Sequence, residues 1–284
     1  MILIADSGST KTDWLLLEGE SKRRMFKTSG INPYFLSKKE ITGVVEENRE
    51  FTAVSDKISQ LYYYGAGCTE ALQIQQVQEA MMTLFPNSEV AVMTDMVGAA
   101  RAVLGKNKGI AAILGTGSNS CAYDGENIID SVPSLGYLLA DEGSGSYIGR
   151  LLIKSMLYGQ LAPEVRVAFD NRYGLSQADI ITGTLSNPMP NRFLASFCEF
   201  FVEQVDDPTV RAQIKKGFRD FMNVHVSEYD DYQNLPLGFV GSIAFFFQEP
   251  LLEIVSEFGI EDVSIIQSPI EALGEYHRPS AHLA

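Results

Sequence analysis

The sequence predicts an α/β protein in which one unit occurs twice, and three observations carry that reading. Short apolar runs alternate with amphipathic helical stretches along the chain. Two segments, ILIADSGSTKTDWLLL (2–17) and GIAAILGTGSNSCAYDGENII (109–129), both read as strand, small-residue turn, strand, which suggests an internal duplication. The length of 284 residues suits one large domain or two of ordinary size, with enough chain for a sizeable core.

Taken in order, ILIA (2–5) and WLLL (14–17) flank a polar turn as a β-hairpin, and MFKTSG (25–30) supplies a third strand before the loop GINPYF (30–35). SKKEITGVVEENRE (37–50) predicts a helix, with Ser37 as N-cap and Glu40 at the capping-box spacing. LYYYGAG (61–67) is a strand running into a Gly turn, with Tyr62, Tyr63 and Tyr64 as strand packing, and ALQIQQVQEAMMTLF (71–85) is a helix. SEVAVMTD (88–95) is a strand ending in an acid, and MVGAARAVLG (96–105) is a helix closing at Gly105. After the second hairpin, SYIGRLLIKSMLYG (146–159) is helical. Residues 160–235 are mostly helical, with loops at SNPMPN (186–191) and DDYQNLP (230–236). LGFVGSIAFFF (237–247) reads as strand, Gly turn and helix start, and VSIIQSPIEALGEY (263–276) as a last strand and helix. A boundary near 105–108, at LGKNKG, divides an N-terminal domain over 1–106, joined by the C-terminal helix 269–284, from a C-terminal domain over 107–268.

The formal charge of −14 argues against nucleic acid or an anionic membrane surface as partner. It leaves room for an anionic ligand, because clustered amide donors and a divalent cation outweigh a distant negative surface. Cys68, Cys121 and Cys198 are widely spaced and show no CxxC or Cys/His cluster, which argues against zinc and for a reducing cytoplasm. The N-terminus enters a polar turn after a few residues and reads as no signal peptide, and no apolar run reaches the ~18 residues that span a bilayer.

The turn DSGSTKTD (6–13) offers backbone N–H groups and hydroxyls from Ser7, Gly8, Ser9, Thr10, Lys11 and Thr12, a nest suited to an anion. Asp6 does not suit a phosphate, but it suits Mg²⁺ held through water. An ordinary hairpin turn is the simpler alternative for this segment alone. The second turn, LGTGSNS (114–120), follows another apolar strand, and two such turns can clamp a polyphosphate. Neither matches GxxxxGK[ST] or GxGxxG. Asp95 stands at a strand end before a helix, where it can act as a general base or as an N-cap. Asp141 and Glu142, in ADEGSGS, suit two vicinal hydroxyls or a helix dipole. Asn32 suits a turn before Pro33 as well as a ligand. His225, His277 and His282 are scattered and read as structural or surface residues, and EYDDY (228–232) as a solvated loop.

DSGSTKTD and LGTGSNS resemble the first and second phosphate motifs of the actin-like ATPase superfamily, and LGFVGSIA (237–244) resembles its adenosine motif. GINP (30–33), YGAGC (64–68), TDMVGAA (94–100) and GYLLADEGSGS (136–146) narrow the resemblance to the N-acetylglucosamine kinase-like group, together with the BadF/BadG/BcrA/BcrD ATPases. These segments cover most of residues 1–150; beyond that only 237–244 matches closely. The resemblance implies two ribonuclease H-like α/β domains with an interdomain nucleotide cleft, ATP and Mg²⁺ as cofactors, and a small-molecule sugar as substrate. It is compatible with a homodimer.

Carried over by position, it implies that Ser9, Thr10 and Lys11 meet the β- and γ-phosphates and that Thr116 and Gly117 hold them from the other side. Gly241 and Ser242, with Gly217 in IKKGF, would lie near adenosine, and Asp6 would hold Mg²⁺. Asn32, Ser118, Asn119, Leu135, Gly136 and Asp141 would line the sugar pocket, and Asp95 would be the base. Some relatives carry Trp at the position of Leu135, which bears on the acyl preference. The implied reaction is phosphorylation of an amino sugar, first N-acetylglucosamine at its 6-hydroxyl and second glucosamine. An ATPase that drives electron transfer to a reductase or dehydratase is the alternative; it needs cysteines to converge on a dimer axis around an iron–sulfur cluster.

Overall fold

The computed structural model describes residues 1–8, 10–19 and 22–278, and the chain divides into two compact units, Met1–Lys106 with the segment from Ser268 onward, and Asn107–Gln267. The first unit is built on β1 (Ile2–Ser7), β2 (Lys11–Glu18), β3 (Lys22–Ser29), β4 (Gln60–Gly65) and β5 (Glu89–Thr94), in the order β3-β2-β1-β4-β5. β1, β2 and β3 form an antiparallel meander, while β4 runs parallel to β1 and β5 parallel to β4.

Both faces of this sheet are covered, which is why its central strands read as near-continuous apolar runs. Leu3, Ala5, Trp14 and Leu16 point to the side packed by α1 (Lys38–Glu46), α2 (Arg49–Thr52) and α3 (Ala71–Leu84). Ile4, Leu15 and Leu17 point to the other side, towards α4 (Asp95–Leu104) and α13 (Ile270–Tyr276). The edge strand β3 buries Phe26 and surrounds it with Lys22, Arg23, Arg24 and Lys27, charges that discourage pairing with another chain.

The capping box of α1 forms as the sequence predicts, Ser37 accepting from Glu40 and Glu40 from Ser37. The helix nonetheless stops at Glu46, because Asn48 caps the separate short helix α2 through the amide of Glu50.

The second unit repeats the plan with β6 (Gly109–Leu114), β7 (Ser118–Tyr123), β8 (Ile128–Ser131), β9 (Leu237–Val240) and β10 (Val263–Ile266), in the order β10-β9-β6-β7-β8. Read from its other edge this is the first order again: an antiparallel meander followed by two parallel strands. The main difference lies between β8 and β9. The stretch holds α5 (Gly145–Leu157), α6 (Pro163–Tyr173), α7 (Gln177–Ser186), α8 (Pro190–Ser196), α9 (Cys198–Val202), α10 (Pro208–Phe221) and a π turn over Met222–Val226. After β9 come α11 (Ser242–Phe246) and α12 (Gln248–Glu257). The core of this unit is rich in phenylalanine: Phe169, Phe197, Phe201, Phe218, Phe221 and Phe239 are all fully buried.

Candidate active site

In the first unit, strand register sets the site. Ser7 pairs with Gly65 and Gly65 with Thr94, so the C-terminal ends of β1, β4 and β5 are level. Asp6 lies one residue before that edge and Asp95 one residue after it. This is the edge where ligands of parallel α/β sheets collect. Across the hairpin Asp6 pairs with Asp13, and the exposed Lys11 reaches Asp13 with Nζ–Oδ2 at 2.6 Å. Burial raises the Asp6 carboxyl to about 7, with further upward pressure from Asp95 and Asp13 and partial relief from Lys11.

Burial also pushes Asp95 up, opposed by hydrogen bonds from the Thr94 hydroxyl at 3.0 Å and the Met96 amide at 3.0 Å, both accepted by Oδ1. Thr94, not Asp95, occupies the N-cap position of α4, and its side chain makes no capping bond. The helix-cap alternative for Asp95 therefore gives way: the carboxylate is the first helical residue, and Oδ2 is left unused by these bonds.

The first turn is closed by the Gly8 amide donating to the Lys11 carbonyl at 3.0 Å, with Thr10 and Lys11 exposed. Ser9 and His282 lie outside the described residues. Two side chains of the motif itself, Ser7 and Thr12, anchor the turn. Buried Ser7 bonds Thr12 at 2.7 Å and exchanges hydrogen bonds with the carbonyl and amide of Ile31 at 3.2 Å each. Ser7 thus ties the GINP loop to the first hairpin. In that loop the Asn32 Oδ1 accepts from the Tyr34 amide at 3.0 Å, the turn role that the sequence allows.

The second unit holds the other turn. Gly115 donates to Gly117 at 3.0 Å, and the turn is seated on the start of α5, where Gly145 donates to the Gly115 carbonyl at 2.8 Å and Ser146 to Thr116 at 3.1 Å. Asp141 adopts a left-handed backbone with φ 59°, and its Oδ2 lies 2.9 Å from where a β-carbon on Gly117 would stand. Burial raises its carboxyl to about 6; the Ser118 amide lowers it and Glu142 raises it. The Ser118 hydroxyl is buried with no hydrogen-bond partner among the described residues, an oxygen available to a ligand. Asn119 Oδ1 accepts from the Ser120 amide at 2.9 Å.

Gly241, at φ 128°, brings the end of β9 so close to the second turn that a β-carbon would lie 2.2 Å from the Leu114 carbonyl oxygen. Ser242 follows, exposed, as the first residue of α11. Leu135 and Gly136 lie in the irregular segment between β8 and α5, with Leu135 59% exposed. Gly217 is buried in α10, where a side chain would meet Ile148 of α5 at 2.8 Å, so helix packing alone accounts for its glycine.

The structure thus gathers Asp6, Thr10, Lys11 and Asp95 around the strand ends of the first unit, and Thr116, Gly117, Ser118, Asp141 and Gly241 around the second turn. Among the described residues no three His, Cys, Asp or Glu side chains cluster to hold a metal ion. A magnesium ion needs no such cluster, since it keeps most of its waters and takes few carboxylates. The carboxylates of Asp6 and Asp95 at the strand ends are oxygen ligands of the kind that ion prefers.

No protein-family model and no curated protein matches the chain. Among solved structures, a candidate N-acetylglucosamine kinase from Porphyromonas gingivalis is 43% identical, with 98% of this chain and 99% of that one covered and a TM-score of 0.94. A candidate N-acetylglucosamine kinase from Chromobacterium violaceum is 19% identical, with 97% of each chain covered and a TM-score of 0.71. A ROK family glucokinase from Streptomyces griseus, in complex with glucose and AMPPNP, shares the fold at 14% identity, with 95% and 96% covered and a TM-score of 0.61.

Proposed function

The chain belongs to the N-acetylglucosamine kinase-like family of the actin-like ATPase superfamily, and from that premise we propose that it is an ATP-dependent kinase of an amino sugar. N-acetylglucosamine, phosphorylated at its 6-hydroxyl, is the first choice and glucosamine the second. The observation that carries the reading is the pair Asp6 and Asp95 on one strand edge beside the Lys11 turn. The similarly named 43% identical relative supports the choice of sugar.

In this reading Ser9, Thr10 and Lys11 contact the β- and γ-phosphates, Thr116 and Gly117 also bind phosphate, and Gly241 and Ser242 meet the nucleoside. Asn32, Ser118, Asn119, Leu135, Gly136 and Asp141 receive the sugar. Phosphoryl transfer depends mainly on positioning and on neutralising charge. Asp95 is held at Oδ1 by Thr94 and Met96, so Oδ2 faces the work of accepting the hydroxyl proton as the sugar oxygen bonds to phosphorus and the bond to ADP breaks. Its burial favours the protonated form and makes it a stronger base than an exposed aspartate. Asp6 would hold magnesium through water, and the ion supplies neutralisation of phosphate charge.

The activator reading has less support. Cys68, Cys121 and Cys198 are buried, and burial pushes each thiol up to about 12, whereas a cluster shared between subunits needs accessible thiolates. Among the described residues no helix is long and apolar enough to cross a membrane. An ATP-using sugar kinase belongs in the cytoplasm, and that location is part of the proposal. An ADP-release screen with Mg²⁺ across hexoses, hexosamines and N-acyl hexosamines tests it. Stimulation strongest with N-acetylglucosamine is expected, and stimulation by none of them would reject the kinase reading.

A further inference from the structure

His225 is 2% exposed and sits in the π turn that continues α10. Such turns are rare and are frequently found at functional sites. The ring stacks on Phe221, with centroids 4.7 Å apart at 17°. Tyr229 Oη lies 2.7 Å from Ser120 Oγ, which in turn lies 3.4 Å from His225 Nδ1 and donates to the His225 carbonyl at 3.3 Å. On its other side, His225 Nε2 faces Glu142 Oε2 at 3.6 Å, and neither atom has a hydrogen-bond partner among the described residues. Among the described residues Glu142 is the carboxylate that faces the ring.

Glu142 belongs to the segment 141–146, which bridges the π turn and the second phosphate turn. Gly143 is pressed onto Phe221, where a β-carbon would meet the Phe221 β-carbon at 2.7 Å, and its φ of 71° suits glycine. Asp141 lies against Gly117, while Gly145 and Ser146 donate to Gly115 and Thr116. Any shift of Glu142 is therefore passed to the turn through its immediate neighbours.

We propose that His225 is a positioning residue for the second phosphate turn, acting through Glu142 on the segment 141–146. The inference rests on reading 115–119 as a phosphate-binding turn.

The test compares ADP with adenosine as ligands of the intact chain in the presence of Mg²⁺. His225→Phe keeps the stacked ring and removes both nitrogens, and His225→Gln returns a donor near the Nε2 position. Expected are an ADP affinity about tenfold weaker in His225→Phe, the size of leaving one buried polar group without its partner, recovery in His225→Gln, and unchanged adenosine affinity in both. A purely structural His225 would weaken both ligands together or neither, and either result overturns the inference. Should His225→Phe fail to fold, Glu142→Gln carries the same comparison: selective loss of ADP supports the inference, and parallel loss or none overturns it. Unmodified protein that binds neither ligand defeats the phosphate-turn reading and the inference with it; the unmodified arm alone thus separates that failure from the failure of His225.

Discussion

In the first unit the hairpin β1–β2 turns at Gly8 with open space around it, whereas in the second the hairpin β6–β7 turns under close packing from α5, Asp141 and Gly241. A β-carbon at Gly8 would meet nothing nearer than the Lys11 carbonyl at 3.8 Å, while one at Gly241 would meet the Leu114 carbonyl at 2.2 Å. The register positions also differ in chemistry. The pair Asp6 and Asp13 of the first hairpin corresponds to Ile113 and Asn119 in the second. The two units keep one strand order but differ in chemistry: the first hairpin carries the acidic pair Asp6 and Asp13, and the second carries Ile113 and Asn119 in a tightly packed turn.

That contrast is broken most sharply at Asp95. Asp95→Asn keeps the contacts of Oδ1 but removes the base, and a fall in kcat of about a thousandfold is expected, with ADP affinity retained. Steady-state turnover beside ADP titration measures the split, and full turnover in the variant would remove Asp95 from the chemistry.

The packing contrast predicts a large difference between two alanines. Gly241→Ala meets a backbone carbonyl and an unfavourable φ, and a loss of about 3 kcal/mol of stability is expected.

The far face of the first unit supplies a pH test with a defined sign. His277 Nε2 is hydrogen-bonded to the Tyr64 hydroxyl at 2.6 Å, and the ring stacks on Tyr62, with centroids 3.7 Å apart. Burial, helped by Arg101, lowers its pKa from 6.5 to about 4. The folded form therefore binds fewer protons than the unfolded chain between these values. Stability from this site is complete above 6.5 and is lost as pH falls towards about 4, by at most about 3 kcal/mol. Trp14, the single tryptophan, is buried in this unit and reports its unfolding by fluorescence. His277→Phe should flatten the dependence, and an unchanged slope would assign it to other groups. The smallest effect is expected at the open turn, where Gly8→Ala should change the free energy of unfolding, read by denaturant titration, by no more than about 0.5 kcal/mol.

Much of this contrast was legible in the sequence, because it rests on local patterns. Both hairpins, the Ser37–Glu40 capping box, the strand ending before Asp95 and the Gly241 turn all follow from periodicity and small-residue punctuation. The remainder depends on partners distant in the chain. Nothing local distinguishes Asp95 as first helical residue from Asp95 as cap, since Thr94 can occupy the same role. The pairing of His225 with Glu142 joins the segment before α5 to a π turn that has no sequence signature. Tyr64 reads as ordinary strand packing until α13 brings His277 against it.

In the proposed function the two turns serve phosphoryl transfer to a sugar. Phosphorus NMR of the products formed from ATP, Mg²⁺ and N-acetylglucosamine tests it most directly. A new sugar 6-phosphate monoester appearing in step with ADP is the expected result. ATP consumed to ADP and inorganic phosphate alone, with the sugar unchanged, would contradict it.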